Sequence, residues 1–296
     1  MIKNYKPICE WKSKSLLGEG VIWVKKLNSV FFVDIKKRKI LSFNIKTKSK
    51  SIFSINKEIG FLSHIKKNIF ILGLKSEIRV IDLKKKIIIF SKNIELNKER
   101  NRINDGKVDP LGRLWFGTMD GLEKKKSGSL YCLDRNLKLH KVDSKYYTPN
   151  GPAFLNKNTF YHTDSKKKII YKIKINNDLK IIYKKKFIKF NKREGSPDGM
   201  TTDIKNNLWV CHYRGECISI YNLKGKKIHQ IKIPAKNITN CIFGGSKNNK
   251  LFISTARKGM TTKDLKKYPF SGGLFSVKTN ISGKKINYFQ PRSKFF

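Results

Sequence analysis

The sequence predicts an all-β fold, a six-bladed β-propeller with a central metal site. Six short hydrophobic strands, here called marker strands, recur at intervals of 39, 44, 46, 48 and 43 residues. They begin at Phe31, Phe70, Leu114, Phe160, Leu208 and Leu251. A strand repeat of this length is typical of propeller blades, whose equivalent positions converge on one channel. Six blades of about 45–50 residues would use the whole chain, so we expect residues 1–296 to form a single domain.

Each repeat continues beyond its marker strand. A turn follows, then a second alternating strand, and several repeats add a third strand. The second strands are predicted at Ile40–Ile45, Ile78–Leu83, Gly128–Leu133, Ile169–Ile175, Cys217–Leu223 and Gly272–Val277. The third strands are predicted at Ile87–Phe90, Ile181–Phe187 and Ile228–Ile233. Short strands without a 3.6-residue apolar stripe indicate an all-β protein, with one short helix expected at Thr262–Tyr268.

Other β architectures explain the repeat less well. A β-sandwich also has short strands, but it does not consist of six self-similar units. Kelch and WD repeats have similar periods, yet their glycine and Trp-Asp signatures are missing from this sequence. In a propeller, we expect a strand from the N-terminal segment to pair with the last blade and so remove the exposed sheet edges.

The chain is strongly basic, with 66 Lys and Arg against 21 Asp and Glu and a net charge of +45. Clustered cations favour nucleic acid or an anionic membrane as a partner. Here the lysine runs at 84–86, 124–126, 166–168 and 184–186 lie in four different repeats, which favours a compositional bias toward Lys, Ile and Asn. We therefore expect no specific nucleic-acid or membrane partner. Nucleic-acid binding would require the cations to gather on one face.

The five cysteines indicate a reducing compartment. Their number is odd, they contain no CxxC pair, and Cys132 and Cys211 lie within apolar strand patterns. We therefore expect neither disulfides nor a structural zinc site. The segment Met1 to Glu10 lacks an apolar core of the signal-peptide type, and no apolar run approaches the length of a membrane span. The expectation is a soluble, cytoplasmic protein that is a monomer or a weak dimer.

Oxygen-bearing side chains stand at matched positions ahead of four marker strands. Asn104, Asn150 and Asp198 lie ten residues before the third, fourth and fifth marker strands, and Glu19 lies twelve before the first. We expect these side chains in the loops that lead into the marker strands, at the mouth of the channel. Carboxylates and amide oxygens without His or Cys suit Ca²⁺, Mg²⁺ or Mn²⁺, and zinc also accepts carboxylate oxygens. A single Asn-Gly or Asp-Gly would more simply be a turn, so the argument depends on the repetition.

The local contexts of these residues identify a family resemblance that runs from about residue 15 to residue 280. The matching segments are Leu17-Gly18-Glu19-Gly20, Arg102-Ile103-Asn104-Asp105-Gly106, Gly117-Thr118-Met119, Pro149-Asn150-Gly151, Pro197-Asp198-Gly199-Met200, Cys241-Ile242-Phe243-Gly244-Gly245 and Ala256-Arg257-Lys258-Gly259-Met260. They resemble the regucalcin/gluconolactonase family of six-bladed propeller lactonases. The resemblance implies one bound divalent cation and hydrolysis of sugar-acid lactones. It also implies Glu19, Asn150 and Asp198 as metal ligands, with Arg102, Asn104 and Asp120 as substrate contacts.

Metal-assisted ester hydrolysis fits these residues. A cation bound by the three ligands would polarise the lactone carbonyl, with Asp198 as the general base for water. The alternative is a non-catalytic, calcium-binding regulatory propeller with the same ligands. The sequence has no Gly-x-Ser-x-Gly, HExxH or GxGxxG motif, so it offers no serine nucleophile, zincin site or nucleotide site. His162 and His212 are expected to be packing groups, and His64 is a further candidate near the channel.

Overall fold

The protein consists of six four-stranded antiparallel sheets, one for each sequence repeat, in a computed structural model that describes residues 5–292. The all-β class and the six blades are confirmed. The chain divides into two compact units, each of three blades. The first unit comprises residues 5–54 and 190–286, and the second comprises residues 55–189 and 287–292. The expectation of one domain over residues 1–296 stays a prediction.

The strands follow the chain in three runs. The first run, in the first unit, is β1 (Ile8–Trp11), β2 (Gly18–Val24), β3 (Ser29–Asp34), β4 (Lys39–Asn44) and β5 (Lys50–Ser54). The second unit contains β6 (Ile59–Lys66), β7 (Ile69–Leu74), β8 (Glu77–Asp82), β9 (Ile87–Asn93), β10 (Asn101–Val108), β11 (Leu114–Asp120), β12 (Gly128–Leu133), β13 (Leu139–Tyr146), β14 (Pro149–Phe154), β15 (Thr159–Asp164), β16 (Ile169–Ile175) and β17 (Ile181–Lys189). The first unit resumes with β18 (Ser196–Thr202), β19 (Leu208–Tyr213), β20 (Cys217–Tyr221), β21 (Lys227–Lys232), β22 (Asn237–Gly244), β23 (Lys250–Ala256) and β24 (Leu274–Lys278).

Helical structure among the described residues is short. A helix α1 spans Thr262–Lys267, which confirms the predicted one, and it begins in a capping box in which Thr261 and Asp264 each bond the other's backbone N–H. Two 3₁₀ turns lie at Lys25–Leu27 and Lys192–Glu194. None of the helices within residues 5–292 has the length and apolar character needed to cross a bilayer.

Five blades use four strands that are consecutive in the chain, and one does not. In the sixth blade, the order β1-β24-β23-β22 places the N-terminal strand at the outer edge, with Ile8 opposite Ser276 and Cys9 opposite Phe275. The predicted pairing of an N-terminal strand with the last blade is therefore confirmed. It gives that blade a fourth strand and covers the edge of β24.

The marker strands are the second strands of their blades. Each is preceded by a further strand that the sequence analysis treated as a loop: β2, β6, β10, β14, β18 and β22. These first strands lie against one another within each unit, β6 and β14 on either side of β10, and β18 and β2 on either side of β22. The expectation that the polar positions occupy loops is therefore wrong. Those residues lie on packed strands, which hold a side chain more rigidly than a loop does.

Aromatic rings fill the layers between blades within each unit. In the first unit, the rings of Trp23 and Phe252 stack at 5.7 Å between centroids. In the second unit, Trp115 packs on Phe160 at 5.0 Å. The indole N–H of Trp115 donates to Asp109 at 2.9 Å, so the polar atom of a fully buried ring is satisfied. Cys132 and Cys211 are buried, as their apolar surroundings predict.

Candidate functional site

The first strand of every blade carries an irregularity at the same place, near its start. The register shifts lie between Glu19 and Ile22, Ile59 and Phe61, Ile103 and Gly106, Asn150 and Ala153, Pro197 and Met200, and Ile238 and Asn240. A β-bulge of this kind bends the strand and re-aims the side chains at the bulge. All four predicted polar residues, Glu19, Asn104, Asn150 and Asp198, lie within or beside these bulges.

In the first unit, the bulges of three blades meet around a buried amide. Glu19 Oε2 accepts the backbone N–H of Gly20 at 3.0 Å and the Nδ2–H of Asn240 at 3.2 Å. A Cβ atom on Gly199 would lie 2.5 Å from Asn240 Cγ, so the Asp198-Gly199 bulge passes directly over the same amide. Only glycine permits that approach. Asn240 therefore lies between Glu19 and the bulge that carries Asp198, and both carboxylates are buried, with Glu19 7% and Asp198 6% exposed.

In the second unit, the predicted residues form one hydrogen-bonded chain. Arg102 Nη1 donates to Asn104 Oδ1 at 2.8 Å, and Asn104 Nδ2 donates to Asn150 Oδ1 at 2.9 Å and to the Pro149 carbonyl at 2.9 Å. Asn150 Nδ2 in turn donates to Ser165 Oγ at 2.8 Å. Each bond fixes which way the next amide faces. The chain therefore holds a guanidinium and two carboxamides in one arrangement across two blades.

A carboxylate that the sequence analysis did not single out ties these two blades together. Asp105 Oδ1 accepts the N–H of Gly106 at 2.8 Å, and its Oδ2 accepts the N–H of Gly151 at 2.8 Å. Asp105 is 2% exposed, so these charge-assisted bonds form away from water, where they are strongest. Gly151 has φ +85°, a backbone conformation that disfavours side chains. Asp105 thus positions the Asn150 bulge relative to the Asn104 bulge.

Asp120, the predicted acidic substrate contact, is held by the protein itself. It ends β11 opposite Asn101, accepts the backbone N–H groups of Lys124 and Lys125 at 2.9 Å each, and pairs with Arg100 at 3.2 Å. Burial opposes its ionisation, but the amides and the Arg100 charge outweigh burial and lower the pKa of Asp120. The structure therefore shows Asp120 as the anchor of a loop, and its substrate contact stays a prediction.

The three histidines considered from sequence are packing groups. His64 lies four residues beyond the Gly60 bulge, with Nε2 3.0 Å from the Lys67 carbonyl and its ring edge-on to Phe70 at 5.1 Å. The expectation that it approaches the site is not met. Burial lowers the pKa of His162 to about 3 and that of His212 to about 4, so both are neutral at pH 7.

The donor chemistry fits a hard divalent cation. Glu19 and Asp198 supply buried carboxylates, and Asn150 supplies a carboxamide oxygen. One lone pair of that oxygen accepts a hydrogen bond from Asn104, which leaves the second lone pair able to bind a cation. Within residues 5–292, no three His, Cys, Asp or Glu side chains form a metal-binding group. Such a group is not required when one ligand is an asparagine, and the central metal site stays a prediction.

The chain is similar to proteins of known family. A family model described as "SMP-30/Gluconolactonase/LRE-like region" matches residues 17–257. Regucalcin of Gallus gallus is 29% identical over 289 residues, which cover 94% of this chain and 95% of that protein. A Bacillus subtilis protein provisionally named a sugar lactone lactonase is 29% identical over 279 residues, 93% of this chain and 96% of that protein. The crystal structure of a calcium-binding regucalcin from Agrobacterium tumefaciens superposes with a TM-score of 0.90 at 20% identity, covering 97% of each chain.

Proposed function

Because this chain belongs to the SMP-30/gluconolactonase/LRE-like family, we propose that it is a metal-dependent hydrolase that opens a sugar-acid lactone to the aldonate. The observation that carries the proposal is the acidic group of the first unit. Two buried carboxylates, Glu19 and Asp198, lie on bulges that meet at Asn240. Buried carboxylates are costly unless hydrogen bonds, an ion pair or a cation compensate them, and two carboxylates on bulges that meet at one amide suit a cation. The name of the Bacillus subtilis relative supports a lactone as the substrate class.

We propose that Glu19, Asn150 and Asp198 hold one divalent cation, which is Ca²⁺, Zn²⁺, Mg²⁺ or Mn²⁺. The support is their placement within or beside first-strand bulges and their oxygen chemistry. When bound, such a cation would polarise the lactone carbonyl. Asn240 orients Glu19, and Ser165 orients Asn150, as outer partners commonly do for metal ligands.

The chain's own residues account for the remaining chemistry. Asp198 takes a proton from water, whose oxygen adds to the lactone carbonyl carbon. The ring C–O bond then breaks, the ring oxygen takes the proton held by Asp198 and leaves as a hydroxyl, and the product carboxylic acid releases one proton. Arg102 donates to a substrate hydroxyl or to the developing oxyanion, a role worth about 2.7–4 kcal/mol for one well-placed donor. Both N–H groups of Asn104 donate within the protein, so Asn104 contacts a substrate hydroxyl as an acceptor through Oδ1. Asp120 is the proposed acidic contact to a substrate hydroxyl.

The second candidate is a non-catalytic, calcium-binding regulator. It is favoured by the description of the Agrobacterium tumefaciens neighbour as a calcium-binding protein. The same ligands would then bind Ca²⁺ without turnover. The presence of Arg102 and Asn104 as a buried pair favours catalysis, because a calcium site alone does not need a guanidinium beside it.

One experiment separates the two candidates. Protein stripped of metal by a chelator is reloaded with Ca²⁺, Mg²⁺, Mn²⁺ or Zn²⁺ and assayed by proton release on a panel of five- and six-carbon aldonolactones. The proposal predicts turnover that at least one metal restores and that Asp198→Ala abolishes while its circular dichroism is unchanged. Tight metal binding without turnover of any lactone would favour the regulator. Unchanged turnover by Asp198→Ala would remove Asp198 from the mechanism.

We also propose a cytoplasmic location. All five cysteines, Cys9, Cys132, Cys211, Cys217 and Cys241, are free thiols, as in proteins of reducing compartments. Mass spectrometry of the protein after alkylation under native and unfolding conditions counts the thiols directly.

A further inference from the structure

Two loops beside the second-unit site carry six lysines. Residues 121–127 connect β11 to β12, and residues 165–168 connect β15 to β16. We call these side chains the lysine rim: Lys124, Lys125, Lys126, Lys166, Lys167 and Lys168. Glu123 is the one carboxylate in the two loops, so the rim is strongly positive.

Both loops begin directly beside the site residues. The first begins after Asp120, which pairs with Asn101 in the same ladder that pairs Met119 with Arg102. The second begins at Ser165, whose hydroxyl accepts the Nδ2–H of Asn150 at 2.8 Å. The lysines therefore stand at the end of the blades where Arg102 and Asn150 lie.

The two loops touch, and their backbones are held in place. The Lys166 ammonium donates to the Glu123 carbonyl. The ammonium groups of Lys166 and Lys167 also lie 4.8 Å and 5.9 Å from the centre of the Tyr147 ring, within the range of cation–π attraction. The Lys124 and Lys125 amides are bound by Asp120. The rim is therefore one connected surface whose backbone is held in place.

The loops at the opposite end of the same two blades carry a more balanced set of charges. These four loops, residues 109–113, 134–138, 155–158 and 176–180, contain five cations and three carboxylates in nineteen residues. The rim has six cations and one carboxylate in eleven, and one of the six, Lys167, pairs with Asp164 at 3.6 Å. The neighbouring connection 94–100 adds little charge, because Lys98 pairs with Glu95 at 2.7 Å and Arg100 pairs with Asp120. Within these two blades the excess of lysine lies at the site end, whereas the run 84–86 of the neighbouring blade, between β8 and β9, lies at the opposite end.

We infer that the substrate is an anionic sugar lactone, one that bears a phosphate or a carboxylate in addition to its ring ester. This inference rests on the proposed lactonase function and specifies its substrate class. A group of like charges beside a cleft raises the local concentration of an oppositely charged ligand and its association rate by roughly 10–10³-fold at low salt. The buried guanidinium of Arg102 extends the positive potential into the site.

The test compares neutral and anionic lactones on the holoenzyme. The substrates are δ-gluconolactone, its phosphate ester at the terminal hydroxyl, and a lactone of glucaric acid, which carries a carboxylate. The rim variant is the triple Lys124→Gln, Lys125→Gln, Lys126→Gln, which keeps the backbone amides that bind Asp120. The matched control is the triple Lys138→Gln, Lys157→Gln, Lys180→Gln, which removes the same charge from exposed lysines at the opposite end.

The inference predicts that at least one anionic lactone has a kcat/KM at least about tenfold above the neutral one at low ionic strength. The rim triple lowers that value about tenfold and changes the kcat/KM for the neutral lactone less than twofold. The control triple leaves both values unchanged. The advantage shrinks at about 0.15 M salt, because exposed charges are screened. The phosphate and carboxylate substrates show which anion is preferred.

Three results would overturn the inference. Equal turnover of neutral and anionic lactones refutes the substrate class while leaving the lactonase proposal intact. An equal loss in the rim and control triples shows that total charge, and not the rim, is responsible. Absence of turnover on every lactone refutes the proposed function and this inference with it.

Discussion

Both units place their functional residues at first-strand bulges, but the side chains at those bulges differ in charge. In the first unit, the bulges of β2 and β18 carry the carboxylates Glu19 and Asp198. In the second unit, the bulges of β10 and β14 carry Asn104 and Asn150, with the Arg102 guanidinium bonded to Asn104. One unit therefore presents negative oxygens, and the other presents amides and a positive charge. The bulge sets where a side chain stands, while the residue placed there decides the chemistry.

This difference predicts losses of turnover rate of different size when the Asp198 carboxylate or the Arg102 guanidinium is replaced by a neutral amide. Asp198→Asn removes a proposed ligand and base, so we expect kcat to fall by about 10⁴-fold. Arg102→Gln removes one donor to the developing charge, and we expect a loss of about 10²-fold. Initial rates of proton release over a range of lactone concentrations measure both.

The control for Asp198→Asn is a structural aspartate, Asp203, directly after the strand β18 that carries Asp198. Asp203 accepts the indole N–H of Trp209 at 2.9 Å and backbone N–H groups of the turn that follows. Asp203→Asn should lower stability and leave kcat unchanged in the folded protein. If Arg102→Gln proves as damaging as Asp198→Asn, the division of chemistry between the units is wrong.

The fold and four site positions could be predicted because they repeat, whereas the residues that hold them could not. Glu19, Asn104 and Asn240 stand twelve, ten and eleven residues before their marker strands. Their places at the register shifts also differ, since Glu19 precedes its shift, Asn104 lies within it and Asn240 follows it. Counting ten residues back therefore misses Asn240. The first strands read as turns for a related reason, since Gly and Pro beside the bulges hide the alternation of a strand.

Asp105 has no predicted role, although it stands in one of the segments that carry the family resemblance. Neighbouring residues on a regular strand face opposite sides, so the alternation assigns Asp105 no place in the site beside Asn104, whereas both lie within the bulge. Its partner, the Gly151 N–H, is 46 residues away in the next blade. Local sequence gives no signal for a hydrogen bond across blades. The visible clue is the Asn-Asp-Gly sequence itself, in which a carboxylate directly follows the carboxamide.

The groups that orient the ligands provide a second test of the comparison. Asn240→Ala removes the amide that bonds Glu19, and Ser165→Ala removes the hydroxyl that bonds Asn150. Loss of an outer partner typically costs 10–100-fold in metal affinity. We expect the larger loss for Asn240→Ala, because its partner is a charged carboxylate. Isothermal titration of metal-free protein with Ca²⁺ or Mn²⁺ gives both constants, and an unchanged affinity in Asn240→Ala would contradict the assignment.

The tie between two bulges of the second unit predicts a stability effect. In Asp105→Asn, an amide NH₂ faces the Gly151 N–H, so a buried donor loses its acceptor at a cost of about 1–3 kcal/mol. The control is Asp82→Asn, which changes a solvent-facing turn where the carboxylate accepts the N–H groups of Lys84 and Lys85. We expect less than about 1 kcal/mol there. Urea denaturation measures the difference, and equal losses would mean that Asp105 has no special role.

The smallest predicted effect is a difference between the two units in how their buried histidines make stability depend on pH. His162, in the second unit, is fully buried, and neither ring nitrogen has a hydrogen-bond partner among the described residues. His212, in the first unit, is also buried, but its Nδ1 lies 2.8 Å from the Glu194 carbonyl. Burial lowers both pKa values, to about 3 and about 4, from an ordinary value of 6.5. Below pH 6.5 the unfolded chain therefore binds protons that the folded chain does not, and stability falls as the pH drops toward these values.

Replacing each histidine by leucine should consequently give different results. His162→Leu removes a buried group without losing a hydrogen bond, so we expect equal or higher stability at pH 7. At pH 5 it should gain roughly 2 kcal/mol relative to the parent protein, because one proton-linked loss is gone. His212→Leu also flattens the pH dependence, but it loses the bond to Glu194 and should be less stable at pH 7 by about 1 kcal/mol. Urea midpoints at pH 7 and pH 5 measure both, and a His162→Leu protein with the parent's pH dependence would show that this imidazole is not kept neutral by burial.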